Sequence, residues 1–112
     1  MLSIDALKEY GADVDAALVR CMGNEAFYLR LVKMALSDVH YQQLLDALDA
    51  GDIHDAFEHA HALKGVLGNL ELTPVLTPVV EITEVLRRGN TPDPQLPEQI
   101  KDAWERLKAL SE

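Results

Sequence analysis

Cysteine is nearly absent from this chain. Cys21 is the only one, so no internal disulfide can form. Its neighbours Leu18 and Met22 give it the setting of a small buried hydrophobe; a reactive thiol wants nearby positive charge, and only Arg20 offers it. Basic residues are also scarce, 10 against 19 acidic ones, for a formal charge of −9. Such a surface repels nucleic-acid phosphates and anionic membranes, and no Lys/Arg cluster offsets it. Neither nucleic acid nor membrane is therefore an expected partner. No apolar run reaches the roughly 18 residues of a membrane span. The opening Met-Leu-Ser-Ile-Asp lacks the basic-then-apolar pattern of a secretory signal, and the expected location is the cytoplasm. No alternating run is long enough for a strand. No glycine-rich phosphate loop or carboxylate cluster accompanies the residues discussed below, so autonomous kinase activity is not expected.

What remains is a helix-forming sequence. Its 112 residues, 48% hydrophobic and 26% charged, suit one globular domain over residues 1–112. The starting methionine and the length favour a free-standing chain, and a monomer is the default expectation. Apolar spacings of three and four run almost throughout. A first short helix is expected from Ser3, its cap, to Tyr10, ended by Gly11. A second is capped by Asp13 and carries Val14, Leu18 and Cys21 on one side. From Asn24 to about Ala50 the pattern predicts one long helix, bent near Ser37-Asp38, with Phe27, Leu31, Met34, Tyr41, Leu45 and Leu48 as its stripe. Gly51 ends it and Asp52 caps the next, which runs to about Leu70 with Ile53, Ala56, Ala60, Leu63, Leu67 and Leu70 inward. Thr73-Pro74 reads as a cap followed by a first-turn proline. Pro78 leaves two options: a helix from Thr73 that kinks, or one that starts at Thr77-Pro78. That helix turns Val75, Val79, Ile82 and Leu86 inward and ends at Gly89-Asn90. The last, from about Pro97 to Leu110, buries Ile100, Trp104 and Leu107. The predicted fold is all-α: an up-down-up-down antiparallel four-helix bundle with short N-terminal capping helices.

The stretch from Ala60 to Leu70 carries the chemistry. Opposite its core stripe lie His54, Phe57, His61, Lys64, Gly65 and Gly68. His61 is thus expected to reach solvent, with Lys64 and Gly65 as its neighbours three and four residues on. Each interior helix glycine costs about 1 kcal/mol against alanine, which stability alone would not select. Two of them beside an exposed histidine leave room for something bulky to approach the ring. Neutral imidazole is a good nitrogen nucleophile near neutral pH. A phosphoryl group on it would bring about two negative charges, and Lys64 is placed to offset part of them. Phe57, one turn earlier, and His54 are candidates for partner docking; the plain alternative for Phe57 is that it folds over the edge of the core.

His61-Ala62-Leu63-Lys64-Gly65 resembles the His-x-Leu-Lys-Gly signature of histidine-containing phosphotransfer domains, the intermediates of multistep phosphorelays. Gly51-Asp52 resembles the family's helix connection before the histidine. Gly68-Asn69 and Leu72-Thr73-Pro74 resemble what commonly follows it. Tyr10 to Tyr28, with Gly11, Asp13, Leu18, Arg20, Gly23 and Asn24, resembles its N-terminal entry. One position departs: Glu71 stands where many members have glycine. The resemblance implies that His61 accepts a phosphoryl group from a receiver-domain aspartate and passes it to another. It also implies response-regulator receivers and a hybrid sensor histidine kinase as partners. No cofactor of the chain's own is implied, magnesium being held by the receiver.

Two other readings compete. Glu58 and His61 are spaced to share a metal ion, but no second such pair is evident, and His54 lies roughly 10 Å from His61 along the axis. An acidic helical bundle could also be a non-transferring adaptor for signalling proteins. The presence of both nucleophile and lysine weighs against that.

Overall fold

A computed structural model describes residues 1–112. Seven helices follow one another and no strand forms: α1 (Ile4–Tyr10), α2 (Val14–Arg20), α3 (Glu25–Ala35), α4 (Val39–Asp49), α5 (Ile53–Asn69), α6 (Thr73–Arg87) and α7 (Gln95–Ala109). The helices α4, α5, α6 and α7 pack in chain order. Tyr41 of α4 stacks on Trp104 of α7 with ring centroids 4.1 Å apart, which closes the ring of four. Short connections make successive helices antiparallel. The bundle is therefore the expected one. The two short helices cover one end of it, α1 through the Tyr10 hydroxyl, which donates to the Ala103 carbonyl at 2.8 Å.

Local chemistry sets most of the helix starts. Carboxylate, hydroxyl and amide oxygens of Ser3, Asp13, Asn24 and Asp52 each accept from a backbone N–H three residues on, at 3.0–3.2 Å. Each such cap satisfies a donor that the helix itself leaves unpaired. Gly51, at φ 71°, supplies the left-handed residue that turns the chain from α4 into α5. Twenty-five apolar residues form one core, drawn from every helix. Leu44, Leu63, Leu67, Ile82 and Leu107 are fully buried, each worth about 1.5–3 kcal/mol. Cys21 lies in that core.

Three sequence expectations need correction. The long helix from Asn24 to Ala50 is broken, not bent. After Ala35 the chain makes a tight turn, with the Ser37 and Asp38 N–H groups donating to Met34 and Ala35. Asp38 then restarts the helix: its carboxylate accepts from the His40 backbone N–H at 2.8 Å. The centre of the stripe in this region is also shifted by one residue, while Leu31, Tyr41 and Leu48 stay half-buried against the core. Tyr28, Val32, Ala35, Leu44 and Ala47 are the buried set, while Met34 is 63% exposed. Phe27-Tyr28, Leu31-Val32 and Leu44-Leu45 are adjacent apolar pairs, so both stripes have helical spacing and periodicity cannot choose between them. Finally, Thr73 is no cap. It is the first residue of α6, and its hydroxyl donates back to the Glu71 carbonyl at 3.3 Å.

The choice left open at Pro78 is settled in favour of the earlier start. α6 runs through Pro78, which is buried, and Thr77 donates its hydroxyl to the Thr73 carbonyl at 3.0 Å. Pro78 has no N–H to give the Pro74 carbonyl. It packs against the core instead.

Candidate functional site

The site is built on α5, the longest helix. Its stripe Ala56, Ala60, Leu63 and Leu67 is fully buried, and that anchors the rotation of the helix. His61 is consequently turned outward and exposed, as are His54 and Gly65; Phe57, Lys64 and Gly68 are half-buried at the edges of the same face. All six expected site residues share the outer side of one helix.

The glycines can be judged by what a side chain would meet. A Cβ placed on Gly65 has nothing within 4 Å, and one on Gly68 comes no closer than 3.9 Å, to Leu76. Neither glycine is needed for helix packing. Both are free of backbone strain, since neither has positive φ. The fold alone gives no reason for glycine at either place, and the surface beside His61 is open.

Lys64 forms none of the five Lys/Arg–carboxylate pairs in the molecule, so its charge has no ion-pair partner. Across the groove between α5 and α6 stands Glu84. A hydrogen bond from Arg87 is the main cause that holds its carboxyl below the usual carboxylate range; burial opposes this, and the charges of Arg87, Lys64 and Arg88 add to it. Phe57 packs on the core edge while its ring faces two charged or titratable neighbours. The His61 ring stacks on it with centroids 5.7 Å apart and planes 24° from parallel, and the Arg87 guanidinium lies over it at 5.0 Å. Docking residue and core-edge residue are thus not exclusive for Phe57. Arg87 and Glu84 had no sequence signal: they lie more than 20 positions from His61, and only the packing of α6 on α5 brings them near.

Two further histidines, His59 and His40, lie elsewhere. His59 points to the α4 side, where Nε2 is 3.3 Å from Asp55 and its ring is 5.6 Å from that of His40. His40 in turn contacts Asp38 at 2.8 Å. Glu58 and His61 gather no third ligand: no three His, Cys, Asp or Glu side chains converge to hold a metal ion.

The departure at Glu71 has a local explanation. Its φ of 54° is left-handed, the conformation a glycine would take without cost. Arg20 holds it there, pairing with its carboxylate at 2.9 Å and donating to the Asn69 carbonyl at 3.1 Å. The Glu71 carbonyl also accepts from Asp13 N–H at 3.0 Å. The last turn of α5 is therefore tied to α2.

Fold and site together define a class: helical bundles that display a solvent-facing histidine on the outer side of a central helix, with a lysine and open glycines beside it. The sequence model of the Hpt domain matches residues 32–110, more than half of the chain, and the chain belongs to the Hpt domain family. Histidine phosphotransfer in phosphorelay signalling follows from that membership, and Hpt domains are phosphocarriers rather than catalysts. No curated protein and no solved structure matches the chain. No helix is long and apolar enough to cross a membrane.

Proposed function

We propose that this chain is a phosphorelay intermediate whose phosphoryl carrier is His61. A ring nitrogen of the neutral imidazole attacks the phosphorus of a receiver's aspartyl phosphate. The N–P bond forms as the P–O bond breaks, the carboxylate leaves with the electron pair, and the other ring nitrogen gives up its proton. Transfer to a second receiver runs the same step in reverse. Lys64 faces the phosphoryl oxygens as a mobile point charge, and Gly65 and Gly68 give the receiver room. Phe57 and His54 belong to the docking surface. The receiver brings the magnesium and the acidic cluster; the chain brings an accessible nucleophile. The first donor in this reading is the receiver of a hybrid sensor histidine kinase, and the chain works as a monomer in the cytoplasm.

The observation that supports this best is the pairing of an exposed His61 with empty space over Gly65. A fold selected for stability alone would fill such a position with alanine. The test is phosphoryl transfer from a panel of phosphorylated receiver domains with magnesium, comparing the wild-type chain with His61→Gln. The expected result is acid-labile, base-stable label on the wild type only, with the variant equally folded because the side chain is exposed. A folded wild type that takes label from no receiver favours the adaptor reading.

A further inference from the structure

Three side chains, His61, Phe57 and Arg87, are joined by ring contacts. Phe57 contacts both of the others, with the His61 imidazole 5.7 Å from its ring centroid and the Arg87 guanidinium carbon 5.0 Å from it. Arg87 is itself restrained. Its Nε donates to Glu84 Oε2 at 2.9 Å, and both side chains are about half exposed, 48% and 50%. The guanidinium partner of Phe57 is thus tied to a second residue of α6, and the whole assembly spans the α5–α6 groove.

An exposed histidine on a helix samples its ring torsion broadly and on a fast timescale. That is a disadvantage for a nucleophile. The attacking lone pair lies in the ring plane, so in-line approach to phosphorus requires one orientation of that plane, and fixing reactant geometry in advance removes part of the barrier. A clamped aromatic ring stacked on the imidazole supplies such a restraint.

We propose that Arg87 and Glu84 are positioning residues for phosphoryl transfer: acting through Phe57, they hold the His61 ring in the orientation that meets the incoming aspartyl phosphate. This rests on His61 being the phosphoryl carrier. Arg87 touches the phosphoryl group in neither direction of transfer; Lys64 keeps that task. The planar guanidinium suits the role because it can stack on a ring while its edge bonds a carboxylate, which an ammonium cannot reproduce. A purely structural function for the pair would be small, since an exposed pair three residues apart on a helix contributes only a few tenths of a kcal/mol.

The experiment uses the full chain and four forms: wild type, Arg87→Leu, Arg87→Lys and Glu84→Gln. Two quantities are read. One is the chemical shift of the His61 ring protons, which senses the Phe57 ring. The other is the rate of transfer from a phosphorylated receiver, resolved into the maximal rate and the half-saturating concentration. Arg87→Leu is expected to shift the His61 ring signals and to lower the maximal rate about threefold, the loss of one exposed cation–ring contact, with half-saturation unchanged. Arg87→Lys should recover part of that rate. Glu84→Gln, which leaves the stack and an amide acceptor in place but removes the charge that restrains Arg87, should move both readouts in the same direction by less. Unaltered ring signals and maximal rate in Arg87→Leu overturn the inference while leaving His61 as the carrier. A change confined to half-saturation also overturns it and makes Arg87 a docking contact. A wild type labelled neither by receivers nor by phosphoramidate removes the carrier assignment itself, a result distinct from the other two.

Discussion

At the scale of single residues, Gly65 gives up helix stability with no packing reason for it. Gly65 lies on an exposed helical turn with open space above it, so a side chain there costs the fold nothing. Gly65→Gln is expected to raise the unfolding free energy by roughly 0.5–1 kcal/mol, the difference in helix propensity, measured by urea denaturation. The same substitution should slow transfer about tenfold or more, since a loss of only about 1.4 kcal/mol of transition-state stabilisation suffices. A variant that gains stability and transfers normally would show that no partner approaches this face closely. Glu71 is the converse case. It holds a left-handed conformation at φ 54° that glycine would adopt freely, and its pairing with Arg20 offsets part of the strain.

At the scale of elements, the break between α3 and α4 depends on one side chain. The apolar stripe is interrupted there only by Asp38, which caps α4 through the His40 N–H and also holds the His40 ring, both at 2.8 Å. Asp38→Ala is expected to cost about 1 kcal/mol, the usual worth of an N-cap, read as a lower denaturation midpoint. An unchanged midpoint would mean that α4 starts without its cap. The caps at Ser3, Asp13 and Asp52 were legible because donor, acceptor and spacing lie within three residues; in the sequence Asp38 reads only as a bend. The rotation of α3 and α4 was not legible, because two adjacent stripes satisfied the same period and only contact with the rest of the core separates them.

At the scale of the whole molecule, the N-terminal helices are joined to the bundle by tyrosine hydroxyls. Tyr10 donates to Ala103 and Tyr28 to Leu70, at 2.8 and 2.9 Å. Burial is the main cause that raises the phenol of Tyr28 from 10.0 to about 12, with nearby Cys21, Glu71 and Asp13 adding to it. Burial likewise drives Tyr10 and Tyr41 upward. Folding therefore favours the neutral phenols. Their contribution is complete below the ordinary value of 10.0 and is lost as pH climbs towards 12 for Tyr28. An alkaline titration should show tyrosinate absorbance appearing late and together with loss of helical circular dichroism. Ionisation of all three tyrosines near pH 10 with the helices intact would contradict this.

The sequence by itself determined the helical class, most helix starts and the outward position of His61. Each of these depends on interactions within a turn or two of the chain: a cap and its N–H, or a stripe and the residue opposite it. The tertiary structure alone decided which stripe of α3 and α4 faces inward, that α6 runs through Pro78, and that Arg87 and Glu84 flank the site through Phe57. Those outcomes depend on surfaces contributed by distant segments, and no local spacing encodes which segment will lie across the groove.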